Sequence, residues 1–454
     1  IRKQGAYGFP VVTVGGRFAC MSDAHLRSIV QLNNYRLIRM PKRPTSSTEL
    51  TEYSVLPHVT RQRELPILIV LAGIQFTHIM DFMIVMPLGP QYMRLFSIGP
   101  QQFSLLISSY TFAASAAGFI AALYIDRFDR KNALLILYAC FALATLFCAL
   151  APDYGWLLLA RSLAGAFGGL IGATVFAIVA DIVPQARRGA ATGTVMSAFS
   201  LAAIAGVPAG LFLANHWSWR APFIFLTLLS TTVWIAARLI LPRIKSHLAH
   251  PPHASPFAHL SGVFSNKNHL RAFLLIASLM FAGFSVIPLI SPYMVANVDL
   301  SEADLPYLYF GGGLMTLFTA RWIGKMADKH GARTMFLWIA AISVFPILLL
   351  THLPPAGLTV AVFVMILFMV FVSGRFVPAM ALITSAVVPR FRGSFMSFHS
   401  SVQQLAAGLA ALTSGWIVEK SASGQLIHYG WVGVLAVFFT LCCMIIACKI
   451  KPLF

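Results

Sequence analysis

The sequence predicts an all-α membrane protein with twelve transmembrane helices in two pseudo-symmetric six-helix bundles. Three observations lead to this fold class: the composition, the length of the apolar runs and an internal repeat. Hydrophobic residues make up 58% of the chain and charged residues only 10%, whereas a soluble domain has about 25% charged residues. Such a surface must face lipid, where every backbone polar group needs a partner inside the chain. Runs of about 20 apolar residues then favour helices over barrel strands, which alternate over about 10 residues.

Twelve apolar runs follow Glu64, each long enough to cross a bilayer as a helix. They lie near 66–88, 103–125, 133–151, 156–183, 190–214, 221–241, 271–296, 305–327, 335–352, 358–383, 394–418 and 428–448. The segment 243–269 is rich in Pro, His and Ser and is typical of a linker. The predicted domains are therefore a basic tail at 1–64, a first bundle at 65–242, this linker, and a second bundle at 270–454 that ends in a short tail.

The tail contains no apolar stretch long enough for a signal peptide or a membrane span. Because the chain begins with Ile1 and Met40 lies downstream, we expect residues 1–39 to be an upstream extension from a misplaced start. The alternative is a genuine basic tail that contacts anionic lipid.

The net charge of +19 could also indicate a nucleic-acid partner, but the placement of the charges argues against one. Most Lys and Arg residues lie in short turns at alternate ends of the apolar runs, as the positive-inside rule describes. We therefore expect both termini in the cytosol and a location in the bacterial inner membrane.

The sequence contains no constellation that would serve an enzyme or a metal site. The six cysteines have no metal-ligand spacing, and the histidines of the linker are separated by prolines that prevent a helix from aligning them. No phosphate-binding loop, catalytic acid pair or nucleophile arrangement occurs. We expect no enzymatic activity, no cofactor and no metal; the predicted partners are the lipid bilayer, a small-molecule substrate and protons, and the expected state is a monomer.

The internal repeat appears in the basic turns. Asp328-Lys329-x-Gly331-x-Arg333 aligns with Asp126-Arg127-x-Asp129-x-Lys131 at an offset of 202 residues. A second echo, Val-Pro followed by Arg-Gly, occurs at 183–189 and again at 388–393. Two echoes at nearly one offset indicate duplication of a six-helix unit. Such repeats, with a site between the halves, occur in one class of transporters.

On these residues the chain resembles the major facilitator superfamily, and most of all its twelve-helix proton-coupled drug and sugar efflux group, the drug:proton antiporter-1 or arabinose-efflux-permease-like transporters. The family's inner-loop motif is G-x-x-x-D-(R/K)-x-G-(R/K)-(R/K). The second copy fits it at Gly324, Asp328, Lys329 and Gly331. The first copy fits at Asp126, Arg127, Arg130 and Lys131, with Ala122 and Asp129 where the family favours glycine. The latter position is expected to need a positive φ, which Asp tolerates.

The resemblance implies an inner gate. In the family, contacts of this motif latch the outward-open state, and that role is carried here to Asp126, Arg130 and Asp181. We expect Arg130 to pair with Asp181, the acid that ends run four. Asp126 would lie near a helix N-terminus of the other half, where the helix dipole favours a carboxylate. The alternative is that these charges only fix the topology.

Asp81 is the candidate proton-coupling residue, because it is the one acid placed well inside an apolar run. Charges at such depth are costly and are functional hypotheses by default. His78 lies three residues earlier on the same helix face. Arg161 opens R-x-x-x-G in run four, which resembles the family's fourth-helix motif and implies a part in proton transfer. The alternatives are a buried Asp that serves only packing and an Arg that anchors at the interface.

Run five contains Gly206-Val-Pro208-Ala-Gly210, followed by Trp219-Arg220. This resembles the fifth-helix antiporter motif of the efflux group. Pro208 removes a backbone hydrogen bond and should bend the helix, and the two glycines permit close helix contact. The resemblance implies export, while the physics alone indicates only a bent, closely packed helix.

Five further residues are candidates for the substrate cavity: Tyr110, Phe112, Arg375, His399 and Gln403. For Arg375 two positions remain open, one facing the cavity, where it would attract anions, and one at the inner interface, reached by its long side chain.

These observations lead to a secondary active transporter, a proton-coupled exporter (antiporter) of small organic solutes such as drugs or sugars that works by alternating access. The alternatives are a proton symporter or facilitator that imports a solute, and a ligand sensor on the same fold.

Overall fold

The structure is a computed structural model that describes residues 11–14, 17–20, 61–124, 128–184, 187–242, 263–388 and 392–451. The chain divides into two units, Ile1–Pro57 and His58–Phe454. In the first unit, β1 (Val11–Val14) pairs antiparallel with β2 (Arg17–Cys20). Most of the rest of the predicted tail, including Met40, and most of the predicted linker lie outside the described residues, and the last four residues of the predicted tail already belong to the first long helix.

The second unit contains twelve long helices within the described ranges, and each corresponds to one predicted apolar run. The first six are α1 (Arg61–Ile84), α2 (Pro100–Tyr124), α3 (Arg130–Leu150), α4 (Tyr154–Ile182), α5 (Arg188–His216) and α6 (Ala221–Ile240). The second six are α7 (Lys267–Ala296), α8 (Leu305–His330), α9 (Ala332–Thr351), α10 (Leu358–Ser385), α11 (Arg392–Ile417) and α12 (Tyr429–Lys449). The predicted all-α fold class is confirmed.

Shorter elements complete this unit. A two-turn helix, Gly89–Leu95, lies in the α1–α2 connection, and a 3-10 turn at Ile287–Leu289 interrupts α7. Between α11 and α12, β3 (Glu419–Lys420) pairs with β4 (Leu426–Ile427). These elements lie at one end of the helices.

Ten of the twelve helices are long and apolar enough to cross a membrane by length and composition; α8 and α11 are the two described helices that fall short. Both have 26 residues, which exceeds the roughly 20 that a span needs. Their lower hydropathy comes from polar residues, such as the Lys and His at the end of α8 and the Ser, His and Gln of α11. The Lys and His residues of α8 are exposed in its last turns, at the end of the span, and α11 packs along α2 of the other half, where its polar residues need not face lipid.

The helices form two six-helix halves. In the first, α4 packs on α2 and α3, and α6 packs on α1 and α3; in the second, α7 packs on α11 and α12, and α9 on α12. The halves meet mainly along α2–α11 and α5–α8. Ser108 and Ser115 of α2 each donate a 2.8 Å hydrogen bond to a carbonyl of α11, at Gly408 and Ser401.

Two of the spanning helices contain a π-helical turn: Ala202–Gly206 in α5 and Met369–Ser373 in α10. In α5 the turn directly precedes Pro208, whose missing N–H would break the regular ladder in any case. Such turns are frequent at functional sites. The structure therefore has a π turn next to Pro208, and the bend expected from Pro208 stays a prediction.

Basic side chains gather at one end of the bundle, named here the basic end and defined by Arg130, Arg187 and Arg333. There Lys131, at the start of α3, donates from Nζ to the Arg238 carbonyl at the end of α6, 3.0 Å away. Arg333, at the start of α9, donates to the carbonyl of Ile450 after α12. These aligned positions of the repeat make the same kind of contact in both halves: each cation donates to a carbonyl at the C-terminus of the last helix of its half, where a positive charge is stabilising.

One sequence expectation at this end is wrong. Gly331 does have a positive φ of 88°, but Asp129 has φ −56°. Asp129 instead caps α3, because its Oδ1 accepts hydrogen bonds from the backbone N–H groups of Lys131 and Asn132 at 2.9 and 3.4 Å. Asp is favoured over Gly for such a cap, which explains the departure from the family motif.

Candidate functional site

A buried ion pair lies between α1 and α4. Arg161 Nη1 is 2.7 Å from Asp81 Oδ2, and the two side chains are 1% and 0% exposed. The same nitrogen donates to the Asp81 carbonyl at 3.2 Å, and Thr145 of α3 donates to Asp81 Oδ1 at 3.2 Å. Three helices of the first half therefore converge on one carboxylate, which holds it in a fixed orientation inside the membrane domain.

Tyr110 of α2, a fourth helix of the first half, also contacts this ion pair. The Arg161 guanidinium lies over the Tyr110 ring, 4.4 Å from its centroid, a distance typical of a cation–π contact. Gly165 of α4 permits this approach, because a Cβ there would lie 2.1 Å from the Tyr110 carbonyl oxygen. The fourth-helix resemblance R-x-x-x-G thus has a packing reason: its arginine contacts the ring and its glycine the backbone of one tyrosine.

His78 lies on α1 beside this pair. A Cβ on Gly168 would be 2.5 Å from the Tyr110 hydroxyl and 3.1 Å from His78 Nε2, so both groups face one point on α4. The His78 ring also packs edge-on against Phe141, with centroids 5.9 Å apart. The structure therefore brings together the proton-coupling candidates of the sequence and Tyr110. Thr145 was missed, because one hydroxyl in an apolar run gives no signal of its partner.

The fifth-helix motif packs directly on α1 next to Asp81. A Cβ on Gly206 would lie 3.1 Å from Met80 Sδ, and one on Gly210 would lie 2.4 Å from Ile84 Cδ1. The glycines and the break at Pro208 therefore allow α5 to lie close against the part of α1 that carries the ion pair.

The inner-gate candidates are only partly assembled. Arg130 Nε lies 2.7 Å from Asp181 Oδ2, so the structure contains the expected ion pair, within the first half. Asp126 and Arg127 lie outside the described residues. In the second copy Asp328, Lys329 and Gly331 are exposed and Gly324 is half-buried.

The remaining cavity candidates do not form one site. Phe112 packs on Gly408 in the α2–α11 contact, where a glycine Cβ would lie 2.6 Å from its ring. His399 is buried on α11 with its ring 6.0 Å from that of Phe395. Gln403 is half-buried on the same helix.

The structure places Arg375 in neither of the two positions expected from the sequence. Its side chain is 1% exposed and enclosed by α9, α10 and α12. Nη1 donates to Thr440 Oγ1 at 2.8 Å and to Ser343 Oγ at 3.4 Å, and Nε donates to the Val372 carbonyl at 3.2 Å. Hydroxyl groups and a carbonyl satisfy part of the buried charge, so the long side chain has no need to reach an interface.

A cavity of about 110 Å³ lies near the basic end, between α2, α3, α4 and α11. Its lining includes Gly118, Gly169, Thr174 and Ser401, with Arg130 at its edge. Among the described residues no group of three or more His, Cys, Asp or Glu side chains could hold a metal ion.

The end opposite to the basic end is closed by polar contacts between the halves. Arg94 pairs with Glu302, and Arg94 Nη2 donates to Glu302 Oε2 at 3.2 Å. Asn215 Nδ2 donates to the Glu302 carbonyl at 3.0 Å, and Gln91 Nε2 donates to Asn215 Oδ1 at 2.7 Å. This network was not predicted, because its members are far apart along the chain.

Two six-helix halves, the first of which encloses a buried, charge-paired carboxyl, suit a solute transporter, and comparison with known proteins decides the family. Residues 71–320 and 272–452 match the Major Facilitator Superfamily. The chain belongs to this family. This major facilitator, like its relatives, is a multi-pass membrane transporter. It is not an enzyme.

Three comparisons illustrate the relationship. The MFS-type transporter YceJ of Bacillus subtilis (strain 168) is 22% identical over 369 residues, which are 80% of this chain and 90% of YceJ. The chloramphenicol efflux pump MT0201 of Mycobacterium tuberculosis (strain CDC 1551 / Oshkosh) is 30% identical over 139 residues, 31% of this chain and 34% of the pump. A bacterial homologue of the human lysosomal transporter Spinster superposes with a TM-score of 0.69 at 17% identity, covering 86% of this chain and 97% of that one.

Proposed function

We propose that this major facilitator is a proton-coupled exporter of small organic solutes, such as drugs or sugars, in the bacterial inner membrane. Its basic end faces the cytosol, with both termini on that side. Protons entering on Asp81 are exchanged for a solute as the two halves alternate in their access to the two sides.

The observation that carries the proposal is the ion pair of Asp81 and Arg161, 2.7 Å apart and almost fully buried. A charge inside a membrane domain is costly, and breaking such a pair leaves an uncompensated charge. Protonation of Asp81 removes its negative charge and releases Arg161 for another partner. The pair therefore has two states that differ by one proton, as a coupling site requires.

The direction of transport is supported by two observations. The fifth-helix motif, Gly206 to Gly210, contacts α1 at Met80 and Ile84, on either side of Asp81, and it resembles the motif of exporters. One relative over part of the chain is named a chloramphenicol efflux pump.

The test uses everted membrane vesicles that hold an internal pH dye and an imposed proton gradient. A panel of drugs, sugars and nucleosides is added to the wild type, to Asp81→Asn and to Thr145→Val. We expect at least one compound to trigger proton efflux in the wild type, no response in Asp81→Asn, and a weakened response in Thr145→Val. A response that persists in Asp81→Asn contradicts Asp81 as the coupling site.

The alternatives from the sequence give different results in the same assay. A symporter moves protons and solute in one direction, so the compound would be taken up together with protons in right-side-out vesicles. A sensor would bind a compound, detected by a shift in unfolding temperature, without any proton response.

A further inference from the structure

We propose that Tyr110, His78 and Gln75 form the proton path that joins Asp81 to the basic end in this conformation. The inference rests on the proposed function and adds the route that the proton takes and its direction. The path runs along the inward faces of α1 and α2, beside two glycines of α4.

The path residues lie in a row on α1. Gln75, His78 and Asp81 are three residues apart, so they occupy one helix face. The start of α1 lies at the basic end, because Glu64 there pairs with Arg187 at 2.8 Å. The row therefore leads from the ion pair towards the basic end.

Several atoms in the row have no hydrogen-bond partner among the described protein atoms. They are Gln75 Oε1, both ring nitrogens of His78 and the Tyr110 hydroxyl, and all are buried. Buried polar atoms are nearly always hydrogen-bonded, to protein or to ordered water. Four such atoms side by side within one membrane domain are best satisfied by a short chain of water molecules, which also conducts protons.

Two glycines of α4 allow the row to pack closely against this helix. The Tyr110 hydroxyl and His78 Nε2 both lie within 3.1 Å of the point that a Cβ of Gly168 would occupy. One turn further towards the basic end, Gln75 Nε2 lies 3.7 Å from the corresponding point of Gly172. A Cβ at Gly168 would displace the Tyr110 hydroxyl and the His78 ring, whereas one at Gly172 would make only an ordinary contact with Gln75.

Tyr110 connects the row to the ion pair. Its ring lies under the Arg161 guanidinium, at 4.4 Å, and its hydroxyl faces His78. The titratable side chains near this guanidinium are Asp81, Cys148, Tyr110, Tyr92 and His78. Of these, Tyr110 is the one whose hydroxyl also faces His78.

The other side of the ion pair has a different character. Tyr92 lies there among aromatic rings, 5.6 Å from Trp219, 6.2 Å from Phe96 and 6.5 Å from Phe103 between centroids. The Tyr92 hydroxyl also lacks a partner among the described residues, but the ring neighbours given above are aromatic. In this conformation the proton therefore leaves towards the basic end.

Each transfer along the path conserves atoms and charge. The Asp81 carboxyl gives its proton to a neighbouring water and becomes the carboxylate that pairs with Arg161. Each water, the Tyr110 hydroxyl and the His78 ring then accept one proton and give up another. Each water and the Tyr110 hydroxyl keep their number of protons, the neutral His78 ring changes from one tautomer to the other and regains the first when the ring reorients, and one proton arrives at the basic end.

The experiment is a pH jump on the full-length protein reconstituted in lipid nanodiscs, followed by time-resolved infrared spectroscopy. The carboxyl band of Asp81 is assigned by its loss in Asp81→Asn, and its decay gives the rate of deprotonation. We expect Tyr110→Phe, His78→Leu and Gly168→Ala each to slow this rate by at least about tenfold, since a positioned proton-transfer group contributes about 10²-fold or more.

Tyr92→Phe is the matched control, because it also removes one buried tyrosine hydroxyl without a partner, on the other side of the ion pair. Its rate should equal that of the wild type. Unchanged rates in Tyr110→Phe and His78→Leu, or equal slowing in Tyr92→Phe, would overturn the path. If Asp81→Asn loses no band, the carboxyl does not change protonation, and the proposed function falls together with the path. Gel filtration and thermal unfolding establish that each variant is folded, and Gly168→Ala gives a second test if Tyr110→Phe is not.

Discussion

The guanidinium of Arg94 pairs with the carboxylate of Glu302 and so joins the two halves at the end opposite to the basic end. Arg94 lies on the short helix between α1 and α2, and Glu302 lies in the α7–α8 turn. Asn215, at the end of α5, bonds to the Glu302 carbonyl. Three connections are thereby held together at an end that must open and close during transport.

We expect Arg94→Gln and Glu302→Gln each to loosen this end slightly. The Arg94 side chain is 66% exposed, and exposed ion pairs contribute at most about 1 kcal/mol. Amide hydrogen exchange of residues 89–95 should therefore rise by no more than about fivefold. The exchanged pair, Arg94→Glu with Glu302→Arg, should restore the wild-type rate. If residues 89–95 exchange as fast in the double variant as in the single variants, the ion pair is not the cause of the effect.

The same contact gives a pH expectation. The hydrogen bond with Glu302 raises the pKa of Arg94 above its usual value. A raised pKa in the folded protein means that the contribution of this cation is complete at neutral pH and is lost only as the pH rises through the raised value. Exchange at this end, with Arg94→Gln as the reference, should therefore show no Arg94-dependent change between pH 7 and pH 9.

Gly165 should tolerate no larger residue. A Cβ at this position would lie 2.1 Å from the Tyr110 carbonyl oxygen, and overpacking of this kind costs about 1–3 kcal/mol. We expect Gly165→Ala to lower the unfolding temperature in detergent. Gly193→Ala on α5 is the matched control, because a Cβ there meets nothing within 4 Å and Ala favours the helix by about 0.5–1 kcal/mol. Equal unfolding temperatures of the two variants would contradict the described packing.

The two buried arginines should respond in opposite ways to replacement by Met. Arg161→Met leaves Asp81 without its cation, and breaking a buried pair costs about 3–5 kcal/mol. Adding Asp81→Asn should recover most of that loss. Arg375→Met leaves no unpaired acid behind among the described neighbours. The hydroxyls of Ser343 and Thr440 also keep their own hydrogen bonds to backbone carbonyls.

We therefore expect Arg375→Met to unfold at the same temperature as the wild type or at a higher one. Thermal unfolding of both single variants and of the Asp81→Asn, Arg161→Met double variant measures this difference. A large loss of stability in Arg375→Met would indicate that its hydrogen bonds hold α9, α10 and α12 together.

The cap of α3 gives a further prediction. Replacing the Asp129 side chain by that of Ala removes the acceptor for two backbone N–H groups and should cost about 1 kcal/mol. Asp129→Asn should retain most of the stability, since Asn caps equally well. Asp129→Gly, which restores the family's residue, should fall between them. A fully stable Asp129→Ala would show that the cap contributes nothing.

The sequence predicted the helices because long apolar runs have few alternatives in a membrane. It also singled out Asp81, His78 and Arg161, since each is a polar residue where lipid or apolar packing was expected, and the structure places the three side chains near one another. The Arg130–Asp181 pair could be suggested because both residues end apolar runs on the same side. These inferences depend on local features that one sequence displays.

Other features depend on which helices become neighbours, and a sequence alone does not contain that information. Thr145 and Asp81 are in contact although they are 64 positions apart in the sequence, and Arg94 and Glu302 are 208 positions apart. The enclosure of Arg375 follows from the packing of α10 on its neighbours, which decides whether a long side chain turns inwards or towards an interface. The prediction for Asp129 was wrong because it assumed that Asp would adopt the same positive φ as the glycine that the family has at this position.

The composition of α11 has a consequence for biosynthesis. This helix lacks the hydropathy expected of an independent span, and it packs along α2 and receives hydrogen bonds from Ser108 and Ser115. Because α2 is synthesised nearly three hundred residues earlier, it is already present in the bilayer when α11 leaves the ribosome. Stable integration of α11 should therefore require the completed first half. A chain that ends before α11 leaves the contact surface of α2 uncovered, so we expect its lifetime in the membrane to differ from that of a chain that includes α11.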